Sequence, residues 1–124
     1  MEIVKTSNAP QAVGPYSQAV KSGNLLFCSG QIPLNPDGSV VDGDVRVQAT
    51  QILENIKAVL EAAGTSLDRV VKCTMFLVDI NDFAVVNEVY ASYFTSENKP
   101  ARSTIGVAAL PKGLKIEIEC IAEL

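Results

Sequence analysis

The hydrophobic positions of this chain run at a period of two near both ends and at three to four between them. That pattern predicts strands first, then helices interleaved with strands. Alternating stretches at Glu2 to Thr6, Ser17 to Lys21 and Leu25 to Gln31 are parted by Asn8-Ala9-Pro10 and Ser22-Gly23-Asn24, whose residue types favour turns. Asn35-Pro36-Asp37-Gly38 predicts another turn, with Pro preset for its second position and Gly able to take a positive φ. From Asp44 to Ala63 the period changes. Val45, Ala49, Ile52, Leu53, Ile56, Val59, Leu60 and Ala63 recur at three and four, and Gly64 supplies a stop. Val70 to Val78 then reads as a strand. Asp82 to Phe94 reads as a second helix with Phe83, Val86, Val89, Tyr90, Tyr93 and Phe94 on one side, and strands start again at Arg102 and at Leu114.

The last strand says more than its existence. Ile116, Ile118, Cys120 and Ala122 alternate with Lys115, Glu117, Glu119 and Ile121, so one face is apolar and the other charged. The Val70 strand repeats this, with Val71, Cys73, Met75 and Leu77 expected on one side and Lys72, Thr74 and Phe76 on the other. The order of elements predicts an α+β fold, a six-stranded sheet with both helices on a single face. The opposite face is half polar yet carries Phe76 and Ile121, a composition that suits a subunit interface. A closed oligomer is expected on that ground.

Composition narrows the rest. With 124 residues, 48% of them hydrophobic, the chain is expected to form one domain, residues 1–124, around a single core. Its net charge is −4, and its bases are scattered singly from Lys5 to Lys115, which disfavours nucleic-acid binding by phosphate neutralisation. Cys28, Cys73 and Cys120 are odd in number and each lies in an apolar run. They read as reduced core thiols of a cytoplasmic protein, with no metal set among them. No leader-like or membrane-spanning stretch is found, so a soluble protein with no membrane partner is expected.

With no histidine in the chain, any chemistry falls on few groups. Arg102, in Pro100-Ala101-Arg102-Ser103-Thr104, offers a planar fork of donors that fits a carboxylate. Glu117, in Lys115-Ile116-Glu117-Ile118-Glu119, is able to orient a water or move a proton. The pair suggests hydrolysis or proton transfer on a small carboxylate-bearing substrate. Each also has a plainer reading, since an arginine at a strand start commonly makes a salt bridge and a strand glutamate is commonly solvated. Glu119, two along on the same face, competes with Glu117 for the same role.

Four segments carry a family resemblance over the whole length and in order: Gly14-Pro15-Tyr16-Ser17-Gln18-Ala19, Ser29-Gly30-Gln31-Ile32-Pro33, Val86-Asn87-Glu88-Val89-Tyr90, and Pro100-Ala101-Arg102-Ser103 through Ile116-Glu117-Ile118. Together they resemble the RidA/YjgF family of enamine/imine deaminases. The resemblance implies a chorismate-mutase-like fold, a homotrimer whose sheets enclose a barrel, and active sites in clefts between subunits. It implies hydrolysis of 2-aminoacrylate-type enamines and their 2-imino acid tautomers, 2-iminopropanoate and 2-iminobutanoate, to 2-oxo acids and ammonia, without a cofactor or a metal. On the matching positions, Arg102 becomes the carboxylate-binding arginine and Glu117 the water-positioning glutamate, while Tyr16, Gly30, Asn87 and Thr104 become pocket residues. The sequence departs from the pattern twice. Thr104 stands where the best-known deaminases have cysteine, and the approach Glu97-Asn98-Lys99-Pro100 is short, with Lys99 where an aromatic commonly precedes the proline.

A rival of a different class is a non-catalytic module that holds a 2-oxo acid in the same cleft and reports it to a partner. Retention of Arg102 argues for the enzyme. A ribonuclease, also attached to this family, is disfavoured by the acidic balance.

Overall fold

The computed structural model describes all 124 residues, and their order of strands and helices follows the hydrophobic periods. Six strands, β1 (Glu2–Val4), β2 (Ala19–Ser22), β3 (Leu25–Gln31), β4 (Val70–Leu77), β5 (Ala101–Gly106) and β6 (Ile116–Glu123), form one sheet in the order β1-β2-β3-β6-β4-β5. All neighbours are antiparallel except β4 and β5, which run parallel, so the sheet is mixed. The helices α1 (Val45–Ala62) and α2 (Phe83–Tyr93) pack on one another, and α1 lies on β6 and β3. The architecture is α+β. No helix is long and apolar enough to cross a membrane.

Local chemistry sets the boundaries. The Asp44 carboxylate accepts from the Val47 N–H at 3.0 Å and starts α1, and Gly64, at φ 83°, takes the left-handed turn just beyond its end. β1 stops at Val4, short of the expected Thr6, because the Gln18 side chain accepts from the Thr6 N–H (2.7 Å) and donates to the Thr6 carbonyl (3.0 Å) in place of a neighbouring strand. Gln18 also donates to the Pro10 carbonyl at 2.7 Å, so one buried amide pins the loop that leads to Tyr16. Buried Asn55 likewise donates to the Leu34 carbonyl at 2.8 Å and holds the loop after β3 against α1.

Ile52, Leu53, Ile56 and Leu60 of α1 bury completely against Leu26, Met75, Leu77, Ile116 and Ile118 of the sheet. Burial of each such side chain stabilises the fold by about 1.5–3 kcal/mol relative to leaving it exposed. One strand position departs from the alternation. Val71 was expected on the core side, but the register shifts between Val70 and Lys72, so Val70 turns inward (4% exposed) and Val71 outward (37%). From Cys73 onward the predicted sides hold. The open face of the sheet carries part-exposed Phe27, Phe76, Ile105 and Ile121 among its polar residues.

Candidate functional site

Residues directly opposite one another on adjacent strands share a face of the sheet, so the register fixes where each candidate points. Cys28, Cys120 and Cys73 form one row across β3, β6 and β4, and the row ends at Arg102 in β5. The three thiols are free and buried, as their apolar settings suggested. Arg102 therefore lies on the helix side of the sheet. The next row toward the other end of β5, through Ile118 and Met75 on that same side, reaches half-buried Thr104.

On that side α2 builds a seat for the guanidinium. Phe83, Asn87 and Tyr90 stand at i, i+4 and i+7, which places them on one helical stripe. The Arg102 guanidinium carbon sits 4.7 Å from the Tyr90 ring centre and 5.4 Å from that of Phe83, and Nη1 donates to Asn87 Oδ1 at 2.7 Å. Stacking on the rings and one hydrogen bond fix the plane of the fork and leave its other donors free. Arg102 takes part in no ion pair. Beneath it, burial pushes the Cys73 thiol up to about 11, so this sulfur is a neutral packing group and not a nucleophile. Burial, and then the neighbouring Cys73 thiol, raise the Tyr90 hydroxyl far above the ordinary phenol range.

Glu117 belongs to a different row, opposite Phe76 and then Ile105, on the open face. It lies over the irregular stretch of β3 between Cys28 and Gln31, where Gly30 makes room for it. A Cβ on Gly30 would come within 2.8 Å of the Glu117 carboxyl carbon, inside any tolerable contact. Gly30 was expected to let the backbone approach a ligand; here it clears space for the glutamate. Burial, and then the charge of Glu119, raise the Glu117 carboxyl above the ordinary carboxylate range. Tyr16, Gly30 and Glu117 line one pocket of about 670 Å³ together with Gln18, Glu119 and Lys112. Lys112 reaches it from a left-handed backbone, φ 59°, that only a few non-glycine residues adopt. Glu119 thus shares the cavity with Glu117.

The candidates therefore fall into two groups that one chain does not unite. Arg102, Asn87 and Thr104 gather on the helix side, and Tyr16, Gly30 and Glu117 on the open face. Two strand spacings and three residues of rise part Arg102 from Glu117, roughly 14 Å between backbones, and their side chains leave opposite faces. The aromatic seat under Arg102 was not read from the sequence, and Glu119, read there as a rival of Glu117, instead stands beside it and raises its carboxyl. The seat had a signal in the spacing of Phe83, Asn87 and Tyr90, but nothing in the chain says which strand such a stripe will face.

Comparison with known proteins agrees along the whole chain. The model of the endoribonuclease L-PSP family matches residues 6–124. A RutC family protein of Pyrococcus horikoshii is 58% identical over 122 residues, which cover 98% of this chain and 96% of that protein. The 2-iminobutanoate/2-iminopropanoate deaminase of Escherichia coli is 53% identical over 121 residues, covering 96% of this chain and 94% of that one. The crystal structure of RidA from an Antarctic Psychrobacter superposes with a TM-score of 0.94 at 49% identity and covers 100% of both chains.

Proposed function

The chain belongs to the RidA/YjgF family, the one described as endoribonuclease L-PSP, and from that premise we propose that it hydrolyses reactive enamines and imines, 2-aminoacrylate, 2-iminopropanoate and 2-iminobutanoate, to 2-oxo acids and ammonia. The observation that carries this reading is a guanidinium held rigid by Asn87 and two aromatic rings yet left without a carboxylate partner. A small 2-imino acid supplies that partner.

Arg102 binds the substrate carboxylate with its free donors, which fixes the imine carbon in the cleft. Glu117 holds a water against that carbon. As the water adds, one of its protons passes to the carboxylate and on to the substrate nitrogen; the C–N bond of the resulting carbinolamine then breaks as its hydroxyl returns a proton to the Glu117 carboxylate, releasing ammonia and leaving the 2-oxo acid. A raised carboxyl suits both halves of that relay, because it takes a proton more readily than an exposed glutamate. Tyr16 and Gly30 line the Glu117 side of the cleft and Thr104 the Arg102 side. The chemistry needs neither metal nor cofactor, since a protonated imine is already electrophilic. The ribonuclease named in the family's description finds no basic stripe to hold a phosphate backbone.

Opposite faces of one sheet cannot meet on one substrate, so the reading takes Arg102 from one subunit and Glu117 from the next. The chain, residues 1–124, then acts as a single RidA-like domain of a homotrimer, chorismate-mutase-like, whose open sheet faces line a central barrel. Part-exposed Phe27, Phe76, Ile105 and Ile121 on that face support the assembly. Light scattering checks it: a mass near that of one 13.2 kDa chain at micromolar concentration contradicts it. For the activity, 2-aminoacrylate or 2-iminobutanoate is generated in situ by a pyridoxal-phosphate-dependent dehydratase. Oxo acid should appear faster with this protein than without it, and equal rates would sink the reading.

A further inference from the structure

Within one chain, the pocket beside Arg102 is lined by two cations and no acid. Lys99 and Arg102 line it with Tyr90, Ala91, Phe94 and Pro100, around a space of about 360 Å³. Neither cation is paired, for the three ion pairs of the chain use Lys21, Arg46 and Arg69. In a protein of net charge −4, two uncompensated positive charges share one concavity. They repel each other until an anion enters.

Both are held in place. Arg102 is fixed by Asn87 and the rings of Tyr90 and Phe83. The Lys99 ammonium donates to the Phe94 carbonyl at 2.6 Å, at the C-terminal end of α2, where the helix's negative pole favours a cation. That bond uses one of its three protons and leaves two to donate. Capping α2 would by itself account for Lys99, but it does not account for the head group sharing a pocket with an unpaired arginine.

We propose that Lys99 and Arg102 together select 2-imino acids that carry a second, distal carboxylate, short diacids of four or five carbons, over their monocarboxylate counterparts. The reaction is the one proposed above, and the inference rests on that reading for the chemistry though not for the recognition. Arg102 takes the 2-carboxylate through its planar fork, and Lys99 takes the distal carboxylate as a point charge. The methylenes between them pass the edges that Tyr90 and Phe94 present to the pocket. A monocarboxylate leaves Lys99 without a partner.

The test compares binding of two stable product-side probes of equal chain length, 2-oxoglutarate and 2-oxopentanoate, by calorimetry at low salt. The wild-type protein should bind the diacid about tenfold tighter or more, and the gap should narrow as salt is raised. Lys99→Met should bring the ratio to within about twofold of one, and Lys99→Arg should keep most of the preference. Equal affinities in the wild type, no binding of either probe, or a ratio unmoved in Lys99→Met overturns the proposal. A protein that prefers the diacid but does not speed oxo acid release disproves the deaminase reading alone. One that speeds release without preferring the diacid disproves this inference alone.

Discussion

The two halves of the site are built on opposite principles. Arg102, at the β5 edge, is held by contacts: an Asn87 hydrogen bond and two rings from α2 fix its plane before any ligand arrives. Glu117, on the open face, is shaped by what is missing, the Cβ that Gly30 lacks, and is left beside a second carboxylate. A cation that has to grip gains from fixed partners, whereas a carboxylate that has to exchange protons gains from weak solvation and a like charge nearby, which raise its proton affinity. On the proposed reading, binding and proton transfer rest on separate structural devices, and substitutions should separate them.

The largest effect is expected at the proton-transfer half. Glu117→Gln keeps the shape but removes the relay, so turnover should fall by roughly 10²- to 10⁴-fold with the affinity for an oxo acid largely kept. The same variant should melt higher than the wild type at pH 7. A carboxyl raised by the fold contributes its stability below the unfolded-state range and loses it as pH rises through the folded value, so the ionised form at neutral pH is a cost that glutamine lacks. A turnover unchanged by this substitution would remove Glu117 from the mechanism.

Arg102→Ala tests the binding half. Losing a charged, partly desolvated contact costs about 2–5 kcal/mol, on the order of 30- to several-thousand-fold in rate, and here oxo acid affinity should fall in step with it. Calorimetry beside kinetics distinguishes this from the Glu117 variant, and an Arg102→Ala protein with undiminished binding would erase the contrast between the halves.

Gly30→Ala is subtler. The new methyl has to push aside the Glu117 carboxylate, which is the free end of a flexible side chain, so the protein should fold with its melting temperature little changed. Turnover should drop on the order of 10- to 100-fold from misplacement of the reacting group. Full activity in this variant would show that Glu117 works from another rotamer.

The smallest effect concerns Glu119. It shares the pocket and raises the Glu117 carboxyl, so Glu119→Gln should shift the acid limb of the pH–rate profile to lower pH while leaving the plateau rate within a few-fold. A plateau loss larger than that of Glu117→Gln would transfer the catalytic role to Glu119.

Much of this was readable in the chain. The alternation from Ile116 to Ala122 and the three-four spacing from Val45 to Ala63 named the buried faces, because each needs only local geometry and the demand that apolar atoms leave water. The pattern failed at Val71, where a shift in strand pairing outweighs alternation, and at Thr6, where the Gln18 amide replaces a ladder bond. Both failures involve partners distant in sequence. The site followed the same division. Arg102 and Glu117 stood out as residue types in a chain without histidine, yet nothing local shows that β4 lies between them or that they face apart.

The sequence alone determined the element types, the core-facing side of α1 and β6, and the few groups with usable charge, since these depend on spacing along the backbone and on side-chain chemistry. Only the tertiary structure decided that Arg102 lies on an aromatic seat, that Gly30 clears room for Glu117, and that the two groups of candidate residues occupy opposite faces of one sheet. Those relations arise from strand order and register, which are set by the joint packing of segments far apart in the chain.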